Sequence, residues 1–324
     1  MNPAASTRRL LLLILLSIGL SLATAGLLKV ALDAALPGPD WLQELVRYQP
    51  ATPAHGVEGD TAYDLGRVAR RWLMVVSLVV FVIGRGAVPW RRLVRVALAA
   101  EGARRRQLLF GCCVGVALAF LYGGALLLSG SAVWSPAPAA YLLRKVVEYG
   151  VGAVLIAFIE ELFFRAVMLR LMVRAWGVAR GVLASSTVFA VLHCISGKYW
   201  VSPGWDPSVG LGLLASWYAD HEVGLAPDLR LIAGLILLGV LLSLLYLRSG
   251  SLWASIGLHG GVVFVVKLFK KLLERRADTP EWLLGDRLFI VSGVLWWAVL
   301  AVLILVIPRL VPGTEAARRR DRLR

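Results

Sequence analysis

Three ionisable residues, Glu160, Glu161 and Arg165, lie in a run that is otherwise Val, Leu, Ile, Phe and Ala. A charge at the bilayer centre costs about 2.5–3.5 kcal/mol on insertion scales, whereas each Leu or Ile gains only about 0.3–0.6 kcal/mol. Within one helix Arg165 is one turn beyond Glu161 and can pair with it, while Glu160 points about 100° away. The pattern predicts an ion pair between Glu161 and Arg165, with the Glu160 carboxylate next to it and outside the pair. A salt-bridge network without chemistry is the alternative.

Two histidines also lie in apolar segments. His193 ends the segment 186–193, and His259 lies in 255–261 with Gly257, Gly260 and Gly261 around it. Counted from the predicted cytoplasmic helix ends at about 1.5 Å per residue, Glu160, His193 and His259 all lie at a depth of about 17–21 Å on three different helices. One carboxylate and two imidazoles at one level predict a buried polar site. The glycines suit either close approach of a substrate or helix packing.

Such a set of side chains supports peptide hydrolysis. A carboxylate and a histidine can take a proton from water, and a second histidine can donate to a developing oxyanion. The same residues could instead hold a divalent metal or relay protons in a transporter. Because Arg165 places a positive charge one turn from the carboxylates, we expect no metal and no cofactor. Asp220, His221 and Glu222 look like a metal-binding triplet, but adjacent side chains diverge, which favours a solvated loop.

The helices that must position these residues follow from composition. Of 324 residues, 59 % are hydrophobic, and the mean hydropathy is +0.75. We therefore expect an all-α, polytopic membrane bundle of about eight transmembrane helices. The first follows Arg8 and Arg9, where a signal peptide cleaved after Ala25 is the alternative. The others are predicted at 70–88, 108–129, 143–173, 180–197, 229–247, 251–273 and 288–308.

The net charge of +15 reflects topology rather than a nucleic-acid partner, because membrane proteins collect Lys and Arg on the cytoplasmic side. Arginine clusters at 91–106 and 318–324 predict that both termini are cytoplasmic. The excess of Arg over Lys, with abundant Ala and Leu, is typical of a GC-rich bacterial genome and favours the bacterial inner membrane. We expect the lipid bilayer and a membrane-associated peptide or protein as partners, and no nucleic acid.

The motifs Glu160-Glu161-x-x-x-Arg165 and Phe189-x-x-x-His193, followed by His259, resemble the glutamic-type intramembrane proteases. That family includes the type II CAAX prenyl endopeptidases and the bacterial bacteriocin-processing proteins. The resemblance implies an endopeptidase in which Glu160 and His193 activate water and His259 lies at the oxyanion. It further implies structural support from Glu161, Arg165 and Phe189, with Gly260 and Gly261 as oxyanion or packing candidates.

The resemblance covers roughly residues 143–270 and has one departure. Where the family has Asn or Asp four residues after the last histidine, this chain has Val263. Either backbone donors or water near Gly260 serve instead, or the protein is a catalytically silent binding or immunity protein. A metal-dependent protease is the third alternative.

The predicted division of the chain follows this coverage. Residues 1–130 are an N-terminal transmembrane region of unassigned role, with three helices and an external loop at 33–69. Residues 131–311 are the protease core, and 312–324 are a basic cytoplasmic tail.

Overall fold

The structure, a computed structural model, describes most of the chain. Three predicted features lie outside the described residues: the arginines at 91–95, the triplet Asp220 to Glu222, and the basic tail at 312–324. The described residues are 3–36, 42–43, 46, 48–50, 61–83, 98, 103–194, 199–219, 225–285 and 290–311.

The fold is a helical bundle with a few short strands, which confirms the predicted all-α class. The longer helices follow the predicted apolar segments to within a few residues. An apolar stretch of about 20 residues is long enough to cross the hydrocarbon core of a bilayer as a helix. The helices are α1 Pro3–Ala23, α2 Ala25–Ala35, α3 Gly66–Ile83, α4 Arg104–Leu128, α5 Ala139–Glu161, a π-helix Leu162–Leu169, α6 Arg170–Trp176, α7 Val178–Cys194, α8 Val209–Ala219, α9 Leu225–Ser249, α10 Trp253–Leu272, α11 Glu281–Leu284, a 3₁₀ turn Ile290–Ser292 and α12 Val294–Leu310. The strands are β1 Gln49–Pro50, β2 Thr61–Asp64, β3 Ala132–Trp134, β4 Trp200–Val201 and β5 Leu273–Arg275.

Several helices have the dimensions of membrane spans. Among the described residues, three are long and apolar enough to cross a bilayer: α4, the Leu229–Ser249 part of α9, and α10. The pair α1 and α2, bent by 42°, makes a fourth if it is one span. The predicted number of about eight spans therefore stays a prediction.

The chain forms two compact units, each built from separate stretches of sequence. The first comprises 1–87 and 191–226, and the second comprises 88–190 and 227–324. Helix α4, which falls in the predicted N-terminal region, packs within the second unit. The sequence-based division at residue 130 stays a prediction.

The first unit joins α1 to α3 with the segment that follows α7. Strand β2 pairs with β1 on one side and with β4 on the other, both antiparallel. Helix α8 reaches α1 at Gly210, where an added Cβ would collide with the carbonyl oxygen of Leu22. An apolar cluster lies in this unit, formed by Ala25, Leu36, Leu42, Val46, Tyr63, Leu65, Ala69, Val201, Val209 and Leu213.

The second unit is organised around a close pair of helices, α4 and α10. A Cβ at Gly115 would collide with the carbonyl of Leu258, and one at Gly257 would collide with the carbonyl of Leu108. Small residues spaced four apart let helix backbones approach closely, which stabilises helix pairs in membranes. Gly257 and Gly261 of α10 thus match Gly111 and Gly115 of α4, which have the same four-residue spacing.

Strands β3 and β5 pair antiparallel, and two basic residues, Arg275 and Arg276, lie at the end of β5. Of these, Arg276 forms an exposed ion pair with Asp278 at 3.4 Å. Arg275 instead donates to the carbonyl oxygen of Gly285 at 2.8 Å. Acidic neighbours therefore account for only part of the local positive charge.

Candidate active site

Glu160 and Glu161 are the last residues of α5, directly before a π-helix that sequence reasoning did not predict. A π-helix widens the backbone turn and occurs frequently at functional sites. All eight of its residues, Leu162 to Leu169, are buried. Ser185 Oγ donates to the carbonyl oxygen of Phe164 at 3.3 Å, which ties the widened turn to α7. The unusual segment is thus fully packed.

Glu161 lies at the centre of the cluster. Its Oε2 is 3.3 Å from Arg165 Nε, so the predicted i, i+4 ion pair is present. Its Oε1 is 2.9 Å from His259 Nδ1 on α10, a contact across 98 residues of sequence. The carboxylate is completely buried. Glu161 therefore connects the guanidinium to the imidazole, whereas the sequence predicts only its contact with Arg165.

Arg165 is buried and held mainly by weak contacts. Its guanidinium carbon lies 4.7 Å from the ring centroid of Phe189 and 5.6 Å from that of Phe164. One Nη donates to the carbonyl oxygen of Gly239 on α9 at 3.4 Å. Among the described residues, Nε and the other Nη have no hydrogen bond of good geometry. The cation is stabilised by aromatic faces and by Glu161 rather than by a full set of hydrogen bonds.

Phe189 lies between the cation and the histidine. Its ring meets Phe164 edge to face at a centroid distance of 5.0 Å and His259 at 6.2 Å. Only 1 % of its surface is exposed. A rigid aromatic ring in this position restricts the rotamers of both neighbours, as edge-to-face packing favours.

Glu160 faces the opposite side of the imidazole from Glu161. Its Oε2 is 3.8 Å from His259 Nε2, which is longer than a direct hydrogen bond. Glu160 is 3 % exposed and His259 is 5 % exposed. The structure therefore brings Glu160 and His259 together, a proximity consistent with the helix-depth argument.

The remaining predicted site residues occupy different positions. His193 is 9 % exposed and lies near the end of α7, where the chain passes from the second unit into the first. Gly260 faces α5, and a Cβ added to it would lie 3.6 Å from Ala157 Cβ. Gly261 faces α4, and a Cβ there would lie 2.9 Å from the carbonyl oxygen of Cys112. These contacts favour packing over oxyanion binding for Gly261.

The cluster has the chemistry of an acid–base site in a dry environment. It contains two carboxylates, one imidazole and one guanidinium, all nearly excluded from solvent. Among the described residues, no group of three or more His, Cys, Asp and Glu side chains is arranged to hold a metal ion. The fold and these residues define a helical membrane protein with a buried Glu–Glu–Arg–His cluster.

Comparison with known families narrows this class. Residues 143–265 match the family described as type II CAAX prenyl endopeptidase Rce1-like, which confirms the resemblance seen in the motifs. The matched stretch is less than half of the chain and includes Glu160, His193 and His259. Neither the curated proteins nor the solved structures gave a significant match.

The family match and the apolar helices together describe an integral membrane protein related to proteases. A protease family implies hydrolysis of a peptide or protein substrate in a membrane context.

Proposed function

We propose that the protein is a glutamic-type intramembrane endopeptidase. Glu160 and His193 activate a water molecule, the water attacks the scissile carbonyl carbon, and His259 stabilises the oxyanion. No metal or cofactor takes part. The observation that supports this best is the buried contact set around His259, with Glu161 on Nδ1 at 2.9 Å and Glu160 facing Nε2 at 3.8 Å.

The orientation of His259 limits what it can do. Because Nδ1–H donates to the Glu161 carboxylate, only Nε2 remains to meet a substrate or water. Protonated, Nε2 donates to an oxyanion; neutral, it accepts a proton. Either role requires a substrate or water atom within hydrogen-bond reach of Nε2. A carboxylate that fixes a catalytic imidazole in this way is a recurring device in hydrolases.

Glu161, Arg165 and Phe189 support the site in this proposal. The Arg165 cation balances one of the two adjacent carboxylates, and Phe189 packs against both the cation and the imidazole. Preorganised charges in a water-excluded site stabilise a developing oxyanion without reorganisation. The case for His193 rests on its place in the motif Phe189-x-x-x-His193 within the family match.

The proposed substrate is a peptide or protein held at the lipid bilayer. The family description points to a prenylated C-terminal peptide as the first candidate, with a bacteriocin leader or a sorting tag as others. We further propose the bacterial inner membrane as the location, with both termini in the cytoplasm.

The test uses a quenched fluorescent peptide that ends in a farnesylated CAAX sequence, together with its unprenylated counterpart, in detergent and in vesicles. We expect the wild type to cleave, and Glu160→Gln and His193→Ala to be inactive at near-normal abundance. Glu148→Gln is the matched control, because Glu148 is on the same helix and pairs with Lys145 at 2.9 Å. Cleavage by Glu160→Gln would remove the proposed mechanism.

Substrates other than the test peptide require an unbiased readout. Membrane peptides from cells that express the wild type are compared with those from cells that express Glu160→Gln. A peptide that accumulates intact only with Glu160→Gln is a candidate substrate.

One observation favours a second function, a catalytically silent binding or immunity protein. Val263 replaces the hydrogen-bond donor that the family places four residues after His259, and the Val side chain offers no polar atom. A wild type that leaves every peptide intact, while Val263→Asn cleaves, would support this second function.

A further inference from the structure

The first unit contains a buried polar network whose role the family match does not cover. Lys29 of α2 is 2 % exposed and pairs with Asp33 one turn later at 3.0 Å. Lys29 Nζ also donates to the carbonyl oxygen of Gly204. Gly204 N donates to Asp33 Oδ2 at 3.1 Å. The Lys29–Asp33 ion pair therefore binds both the carbonyl oxygen and the amide N–H of Gly204.

Tyr63 of β2 completes this network. Its hydroxyl donates to Asp33 Oδ1 at 2.5 Å, and its side chain is fully buried in the apolar cluster of the first unit. Burial, and then the hydrogen bond to Asp33, raise the pKa of Tyr63 well above its usual range, so the phenol stays a donor. We call Lys29, Asp33, Tyr63 and Gly204 the latch.

A second set of contacts fixes the chain just before Gly204. Tyr199 N donates to the buried Asp64 carboxylate at 3.2 Å, and Leu65 N donates to the Tyr199 carbonyl oxygen at 2.8 Å. Strand β4 then pairs with β2, with Tyr63 opposite Val201. The stretch 199–204 is therefore held by side chains and backbone from residues 29–65.

This stretch begins six residues after His193. Six residues span at most about 20–22 Å when fully extended, so fixing Tyr199 limits where the end of α7 can move. A buried ion pair contributes more to a unique arrangement than to net stability in some systems. The latch is well placed to act as such a specificity device for the segment after His193.

We infer that Lys29, Asp33, Tyr63 and Asp64 act as a positioning element for His193: the latch and the Asp64–Tyr199 contact hold Tyr199 and Gly204, and Tyr199 is only six residues beyond this histidine. Lys29, Asp33 and Tyr63 are positioning residues and do not touch substrate. The inference gives the N-terminal region a role, and its catalytic part rests on the proposed function.

The test measures His193 directly, so it does not depend on finding a substrate. Diethyl pyrocarbonate modifies accessible imidazoles, and mass spectrometry of the His193 peptide gives its modification rate in the full-length protein. We expect Lys29→Met to raise this rate about fivefold or more, because losing the latch favours local opening. Tyr63→Phe removes only the hydroxyl and should raise the modification rate of His193 about twofold. Lys29→Arg keeps a cationic donor and should leave this rate at the wild-type value.

Lys145→Met is the matched control. Lys145 is as buried as Lys29 and also pairs within its own helix, with Glu148, but it belongs to the second unit. An equal rise in His193 modification in Lys145→Met would mean general loosening and would overturn the inference. Unchanged rates in both Lys29→Met and Tyr63→Phe would overturn it as well. If Lys29→Met does not accumulate, the Tyr63→Phe rate decides.

Catalysis adds a second readout if the fluorescent peptide is cleaved. Misplacing a catalytic group by about 1 Å can cost about 10²-fold, so Lys29→Met should lower kcat by about 10–100-fold and leave KM within about twofold. A change in KM alone would contradict positioning of His193. If the wild type cleaves nothing, the proposed function fails while the modification rates still test the latch.

Discussion

Replacing Glu161 with alanine tests the centre of the buried cluster. The change removes the carboxylate that lies 3.3 Å from Arg165 Nε and that accepts the hydrogen bond from His259 Nδ1–H at 2.9 Å. Arg165 is 1 % exposed, so water cannot replace the lost partner without local opening. The variant therefore leaves a buried cation without its ion-pair partner.

The size of the effect follows from these two losses. Removing one partner of a buried ion pair costs about 3–5 kcal/mol. Leaving the histidine N–H without an acceptor costs about 1–3 kcal/mol, although the two terms share Glu161 and need not add. We expect at least about 3 kcal/mol of destabilisation, which would consume much of the stability of a typical domain.

The assay is thermal unfolding in detergent together with protein abundance in membranes. Asp278→Ala is the control, because its ion pair with Arg276 has side chains that are 77 % and 59 % exposed and should contribute little. Glu161→Ala combined with Arg165→Met should be more stable than Glu161→Ala alone, since it removes the stranded charge. A Glu161→Ala variant with wild-type abundance and melting temperature, or a double variant less stable than the single, would refute this reasoning.

Three further predictions concern packing, the oxyanion and metal. Gly115→Ala should lower the melting temperature, at a cost of about 1–3 kcal/mol, because its Cβ meets the α10 backbone. Gly124→Ala on the same helix has open space and should be neutral or stabilising; equal effects would contradict the packing role. In single-turnover cleavage, His259→Ala should be slower by about 10²–10³, whereas Val263→Asn should cleave at least as fast as the wild type. A chelator should leave cleavage unchanged. Purified protein that carries one zinc per chain and loses activity on chelation would contradict the prediction that no metal takes part in catalysis.

The features that could be predicted depend on local spacing. The pairing of Glu161 with Arg165 follows from their i, i+4 separation, and most helices follow from apolar runs. Constant helix rise predicts a common depth for Glu160, His193 and His259, of which the structure brings Glu160 and His259 together. The observed 3.8 Å separation agrees with that geometric argument.

The features that could not be predicted depend on contacts between distant segments. Nothing in the spacing of Glu161 and His259 indicates that they meet, because the contact depends on how α5 and α10 pack. The π-helix after Glu161 also has no sequence signal, since apart from Arg165 the stretch Leu162 to Leu169 is apolar and would suit an α-helix equally well. By contrast, the four-residue spacing of Gly111 and Gly115 on α4 is visible in the sequence. Its role in helix packing follows only from the contact with Gly257 and Gly261 of α10.

The Tyr63–Val201 pairing shows a different limit. The segments 61–64 and 200–201 lie in stretches that composition marks as polar loops, and two-residue strands have no periodicity to detect. Their pairing is specified by the buried side chains around them, above all Tyr63 and Asp64.

The composition of the first unit has a consequence for biosynthesis. It is built from residues 1–87 and 191–226, and Gly204 follows Asp33 by 171 residues, all of which the ribosome must add before the latch can form. At about 5–20 residues per second this takes about 9–34 s. During that interval Lys29 and Asp33 have each other but lack Gly204, so nascent α2 must wait in the insertion machinery or membrane with an incompletely satisfied ion pair. Chaperoning of this early intermediate would then influence how much protein matures.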